Sequence, residues 1–164
     1  MKIPSLSKIL LGLTFLFNSN LMAVDLSNRL GVGLTQQYKN NLSAISLKVQ
    51  KSNAYAFGAT LGLSTSERHG GYTAGLKIYR IIFQEPNLNF FSGFGVALIS
   101  EKINYQASSG YQADVTLGSE FHLKGIESIG FSFEFGLSMS KIHDDAVFET
   151  SGHNLIQAAI HFYI

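Results

Sequence analysis

The sequence predicts an all-β chain, an eight-stranded antiparallel up-and-down transmembrane β-barrel. Three observations predict it. Apolar residues recur at every second position in eight segments, the period of a strand whose faces meet different surroundings. Charged residues make up only 14 % of the 164-residue chain, against about 25 % in ordinary soluble domains. Yet beyond the first 23 residues no run approaches the roughly 18 consecutive apolar residues of a membrane helix. A strand-built wall remains as the way for such a chain to meet a bilayer.

Met1 to Ala23 reads as a secretory leader: Lys2 and Lys8, then the apolar "ILLGLTFLF", then a small residue at the cut. Cleavage is expected near Ala23, leaving residues 24–164 as one barrel domain. The leader removes two lysines and no acid, so the formal charge falls from +1 to −1. That balance carries no basic surface for nucleic acid. The chain has no cysteine, hence no disulfide framework and no thiolate metal site.

The strands follow in order. "RLGVGLT" (29–35) places Leu30, Val32 and Leu34 on one face, and "AISLKVQ" (44–50) places Ile45, Leu47 and Val49. "YAFGATLGLS" (55–64) gives Phe57, Ala59, Leu61 and Leu63; "YTAGLKIYR" (72–80) gives Tyr72, Ala74, Leu76 and Ile78. "LNFFSGFGVAL" (88–98) and "QADVTLGSEFH" (112–122) continue the pattern, with Ser92 and Ser119 as exceptions. "SIGFSFEFGLSM" (128–139) alternates without a fault from Ile129 to Met139, and "LIQAAIHFYI" (155–164) closes the series. Connections after the odd strands run longer, about 7 to 15 residues, than "KSNA", "IIFQEPN" and "LKGIE" after the even ones. Short turns on one rim and longer loops on the other suit an up-and-down barrel, with both ends of the domain on the short-turn rim.

Three arguments direct the apolar face outward. It holds 34 side chains, most of them large, whereas eight strands enclose a lumen only just wide enough to be filled by side chains. Strand glycines Gly31, Gly33, Gly58, Gly62, Gly75, Gly93, Gly95, Gly118, Gly130 and Gly136 all lie on the other face, where a tapering interior needs small residues beside large ones. Strand charges share that face: Lys48, Lys77, Asp114, Glu120 and Glu134, with Arg29 at one end. An Arg or Lys turned to mid-bilayer lipid would cost about 2–4 kcal/mol. Arg80, the exception, is read as ending the fourth strand, where its stem reaches the headgroups. The six interior charges are three basic and three acidic, and pairing among them is expected to plug the lumen.

The leader, the eight alternating strands and the ending "IQAAIHFYI" resemble the small outer-membrane β-barrels of Gram-negative bacteria, of the OmpX, Ail and OmpA-barrel type. The resemblance covers residues 24–164 and is architectural. The final residue is Ile164, where those proteins carry an aromatic terminus. The resemblance implies residence in the bacterial outer membrane, contact with its lipid, and roles from adhesion to structural anchoring to catalysis; fold alone does not choose among them.

The loop "SKIHDDAVFETSGHN" gathers His143, Asp144, Asp145, Glu149 and His153, and "SERHGG" adds His69. These residues are candidates for interaction with an extracellular or envelope protein partner through the loops. Their spacing matches no metal motif, so neither a metal nor another cofactor is expected. Eight-stranded lipid A deacylases, another group of this architecture, use a His-x-Ser-Asn arrangement that is absent here. His122 and His161 fall inside near the short-turn rim, beside Glu120, where hydrogen bonding within the plug accounts for them. Tyr55, Tyr72, Tyr105 and Tyr111 lie near strand ends, as interfacial aromatic girdles require. The expected role is therefore non-enzymatic, structural or loop-mediated, with a lipid-modifying enzyme or a narrow channel as alternatives.

Overall fold

The computed structural model describes residues 25–142, 145–151 and 156–164; the expected leader and the loop residues His143, Asp144 and His153 lie outside the described residues. Nine strands are present among those described: β1 (Leu30–Thr35), β2 (Ala44–Gln50), β3 (Tyr55–Ser64), β4 (Gly71–Glu85), β5 (Leu88–Ile103), β6 (Gln106–Leu123), β7 (Ile126–Lys141), β8 (Val147–Thr150) and β9 (Gln157–Tyr163). All pairs are antiparallel. Sequence neighbours pair from β1 to β7, β9 pairs with β7, and β1 closes the ring against β9. β8 pairs with β7 beyond the end of β9, so the two short strands share one stave. The wall is thus an eight-stranded closed barrel. Closure satisfies the backbone of each stave through its neighbours and leaves no long open edge.

Three connections differ from the sequence expectation, the first being the expected loop after the seventh strand, within which Val147–Thr150 form β8. β4 does not end at Arg80; it runs to Glu85, with a register shift between Ile81 and Phe83. The extra residue of this bulge breaks the period of two in "IIF", which made a strand resemble a turn. The turn itself is Pro86–Asn87, with Asn87 at φ 62°. The "loop" after the fifth strand is instead a hairpin extension, turning at Asn104–Tyr105. Both of these residues have positive φ, 49° and 70°, the hand that matches strand twist in a two-residue turn. Residues 99–111 lack clean alternation because this part of the hairpin does not separate an apolar face from a polar one.

The turn rim carries residues 51–54, 86–87 and 124–125 together with both ends of the described chain; the loop rim carries 36–43, 65–70, 104–105, 142 and 145–146. At the turn rim Asp25 Oδ1 accepts the Ser27 N–H at 2.9 Å, which holds this exposed carboxyl below its ordinary value. The next residue, Leu26, is fully buried.

Candidate functional site: a polar lumen inside an apolar wall

Burial is inverted relative to a water-soluble domain. Lys48 is 2 % exposed, whereas Leu137 is 68 % and Leu63 74 % exposed. Val, Leu, Ile and Phe side chains cover the outside of every barrel stave. A continuous apolar exterior on this scale is what a hydrophobic environment solvates and water does not.

The lumen is built from residues that alternate with that exterior. Lys48 on β2 reaches across to Glu120 on β6, with Nζ 2.8 Å from Oε2. Its ammonium also lies 4.7 Å from the Tyr79 ring centroid and 4.8 Å from that of Phe91. Lys77 on β4 pairs with Glu134 on β7, and Thr116 Oγ1 donates to the same carboxylate at 2.7 Å. Tyr163 donates its hydroxyl to Glu120 Oε1 at 2.7 Å. Both ion pairs therefore strut the barrel from one wall to another, and each carboxylate accepts one further hydrogen bond, from Tyr163 or Thr116, that helps to compensate its burial.

Of the six predicted interior charges, the structure brings these four together. Asp114 is buried but is held by Gln112 Nε2 at 2.9 Å. Arg29 precedes β1, is half-buried, and makes no ion pair among the described residues. Lumen glycines make room for the large groups: a Cβ at Gly75 would lie 2.2 Å from Tyr38 Oη, and one at Gly58 3.0 Å from Tyr79 Cε2.

Residues 36–43, the connection after the first strand, turn Gln37 and Tyr38 into the barrel mouth. Gln37 and Tyr38 are buried, and the Tyr38 hydroxyl bonds Thr60 Oγ1 and accepts from Gln37 Nε2. The Asn40 amide donates to Tyr72 O, Thr73 Oγ1 and Ser100 O. Gln112 and Gln157 both donate to the Gln37 carbonyl, at 3.5 and 3.4 Å. Tyr38, Ala97, Ile99 and Ile142 form an apolar cluster under this cap. No sequence signal marks Tyr38, since its partners come from three distant strands. Tyr79, Phe91 and Tyr163 had one: they stand on the glycine-bearing parity.

His161 Nε2 is 2.9 Å from Ser46 Oγ, and His161 Nδ1 is 3.9 Å from Glu120 Oε1. The order Ser–His–Glu is that of a hydrolytic relay, but the contact between the base and its orienting acid is longer than a hydrogen bond. All three residues are buried, and Glu120 is already engaged by Lys48 and Tyr163. His122 Nδ1 donates to Glu127 O at 3.0 Å. On the loop rim His69 is exposed in the β3–β4 turn, Asp145 is exposed after β7, and Glu149 pairs with Lys39 at 3.0 Å. Among the described residues no three His, Cys, Asp or Glu side chains converge as metal ligands.

No family model and no curated protein matches this sequence. Among solved structures, the chain is similar to the N-terminal β-barrel domain of Pseudomonas aeruginosa OprF, with a TM-score of 0.62 and 12 % sequence identity. The likeness covers 84 % of this chain and 98 % of that domain. At that identity it is a likeness of fold, the closed eight-stranded barrel.

Proposed function

We propose that this protein is a bacterial outer-membrane barrel with a plugged, non-catalytic lumen, acting as an envelope structural element or through its loops. The observation that carries the reading is the inverted burial: leucines, isoleucines and phenylalanines ring the outside while two lysine–glutamate pairs cross the inside. Hydrocarbon solvates such a wall at no cost, and internal pairing removes the charges from it. The fold likeness to the OprF barrel supports the same placement. The leader expected at residues 1–23 would route the chain out of the cytoplasm, and the finer relation to OmpX- and Ail-type barrels is part of the proposal. Detergent-refolded protein should give β-type circular dichroism and migrate differently when unheated. A stable, monodisperse monomer in water without detergent would reject the reading.

Interaction through the loop rim, by His69, His143, Asp144, Asp145 and His153, with an extracellular or envelope protein belongs to the same proposal. Labelling single cysteines placed in that segment on intact cells tests its exposure; labelling only after lysis would place the loop rim on the periplasmic side. The channel alternative predicts conductance steps in planar bilayers. The enzyme alternative predicts altered lipid A species by mass spectrometry in cells carrying the protein. The cross-lumen pairs and the inward cap of residues 36–43 favour the plugged reading over both.

A further inference from the structure

The outer wall is not uniformly bulky. In register, Ala59 on β3, Leu76 on β4, Val96 on β5 and Ala113 on β6 form one outward row. The next row toward the loop rim is Leu61, Ala74, Leu98, Tyr111 and Lys141. Alanine at 59, 74 and 113 leaves an apolar groove of about 630 Å³, walled by leucine, valine and the Tyr111 ring. Lys141 stands at its loop-rim end, and Lys102 lies four residues beyond Leu98 toward the same rim. Lys141 is the register partner of Tyr111, and Lys102 lies on β5 on the same parity as Leu98. Of the acids nearby, Glu101 occupies the opposite parity and Glu149 is engaged by Lys39, while Asp145 is exposed four residues after Lys141.

We infer that this groove is a seat for an acyl chain of lipid A, with a lipid A phosphate held by Lys102 and Lys141. The inference rests on the outer-membrane reading, which puts the loop rim, and so the lysines, at the outer leaflet. An apolar slot ending at the exposed Lys141 and an amphipathic tyrosine, with the half-buried Lys102 beyond, complements an amphiphile with an anionic head and a chain below it. Lysine serves such a head as a mobile point charge. A flat barrel face of a second copy would rest on the flanking leucines and leave the slot empty, and unfilled space forfeits contact energy. A flexible chain fills it.

The test uses the full chain refolded in detergent, offered hexa-acylated bisphosphorylated lipid A, its dephosphorylated form, phosphatidylglycerol and phosphatidylethanolamine together, and read by native mass spectrometry. One lipid A should be retained at least tenfold over the two phospholipids. Ala74→Phe combined with Ala113→Phe should fill the slot and lower retention at least tenfold, while Ala158→Phe, on the far wall, should leave it unchanged. Lys102→Gln with Lys141→Gln should erase the preference for the phosphorylated over the dephosphorylated form while the chain is still bound. Equal retention of phosphatidylglycerol, or retention unaffected by both paired variants, overturns the inference. The wild-type competition decides it even if the phenylalanine variants do not fold. Heat-modifiable migration of the same samples separates the failures: its loss overturns the membrane reading itself, its persistence without lipid A selectivity overturns only the groove.

Discussion

Cutting the Lys48–Glu120 strut tests whether the lumen is held by paired charge or merely filled. Lys48→Met keeps bulk between Tyr79 and Phe91 but leaves Glu120 with the Tyr163 hydroxyl and a histidine nitrogen 3.9 Å away. Glu120→Gln leaves a fully buried ammonium over two rings with no counter-charge. Removing one partner of a buried pair costs about 3–5 kcal/mol, whereas replacing both by uncharged groups of similar volume is close to neutral. Each single variant should therefore lose at least about a hundredfold in folding equilibrium, since 1.4 kcal/mol is about a factor of ten. The double variant should recover at least about 2 kcal/mol relative to the summed singles. The assay is reversible urea unfolding in lipid vesicles, followed by circular dichroism and gel shift because the chain has no tryptophan. Single costs that simply add in the double variant, within about 0.5 kcal/mol, would refute the claim that these charges act as a pair.

Other consequences are separable. Tyr38→Phe keeps the ring but removes the hydroxyl shared by Thr60 and Gln37, and should cost about 1 kcal/mol in the same unfolding assay. Tyr38→Ala should in addition release the cap, seen as trypsin cleavage after Lys39 in a loop that resists it in the wild type. Lys39→Ala, which breaks a half-exposed ion pair with Glu149, should change stability by about 1 kcal/mol or less. Two glycines should fail for different reasons. Gly125→Ala meets open space but must hold φ near +86°, costing about 1–2 kcal/mol by backbone strain alone. Gly93→Ala has ordinary φ but places its methyl 2.6 Å from Thr116 Oγ1 and 2.9 Å from Lys77 Cε, costing about 1–3 kcal/mol by crowding. Ser46 should resist a fluorophosphonate probe in the folded barrel; rapid labelling would reopen the enzyme alternative.

Legibility followed the physics of each segment. β2 and β3 begin and end where the alternation predicts, Ala44–Gln50 and Tyr55–Ser64, because each must show apolar side chains outward and polar ones inward along its whole length. Alternation failed as a guide where that contrast ends: at the bulge beside Ile82, and in the β5–β6 hairpin beyond the wall. Lys48, Lys77, Glu120 and Glu134 were recognisable as interior from parity, but not as partners, since parity says nothing of which opposite strand a side chain meets. The cap at Gln37, Tyr38 and Asn40 carried no signal, its partners being separated from it by more than twenty residues along the chain.

By itself the amino-acid sequence determined the inside and the outside of the barrel wall, because a period of two assigns the wall residues to one of two environments. It also determined the number of staves and the absence of any cysteine-based framework. Only the tertiary structure decided the pairing of Lys48 with Glu120 and Lys77 with Glu134, the inward fold of residues 36–43, and the groove left by Ala59, Ala74 and Ala113. The ion pairs and the cap depend on reach across a closed ring, whereas the groove depends on the register along β3 to β6.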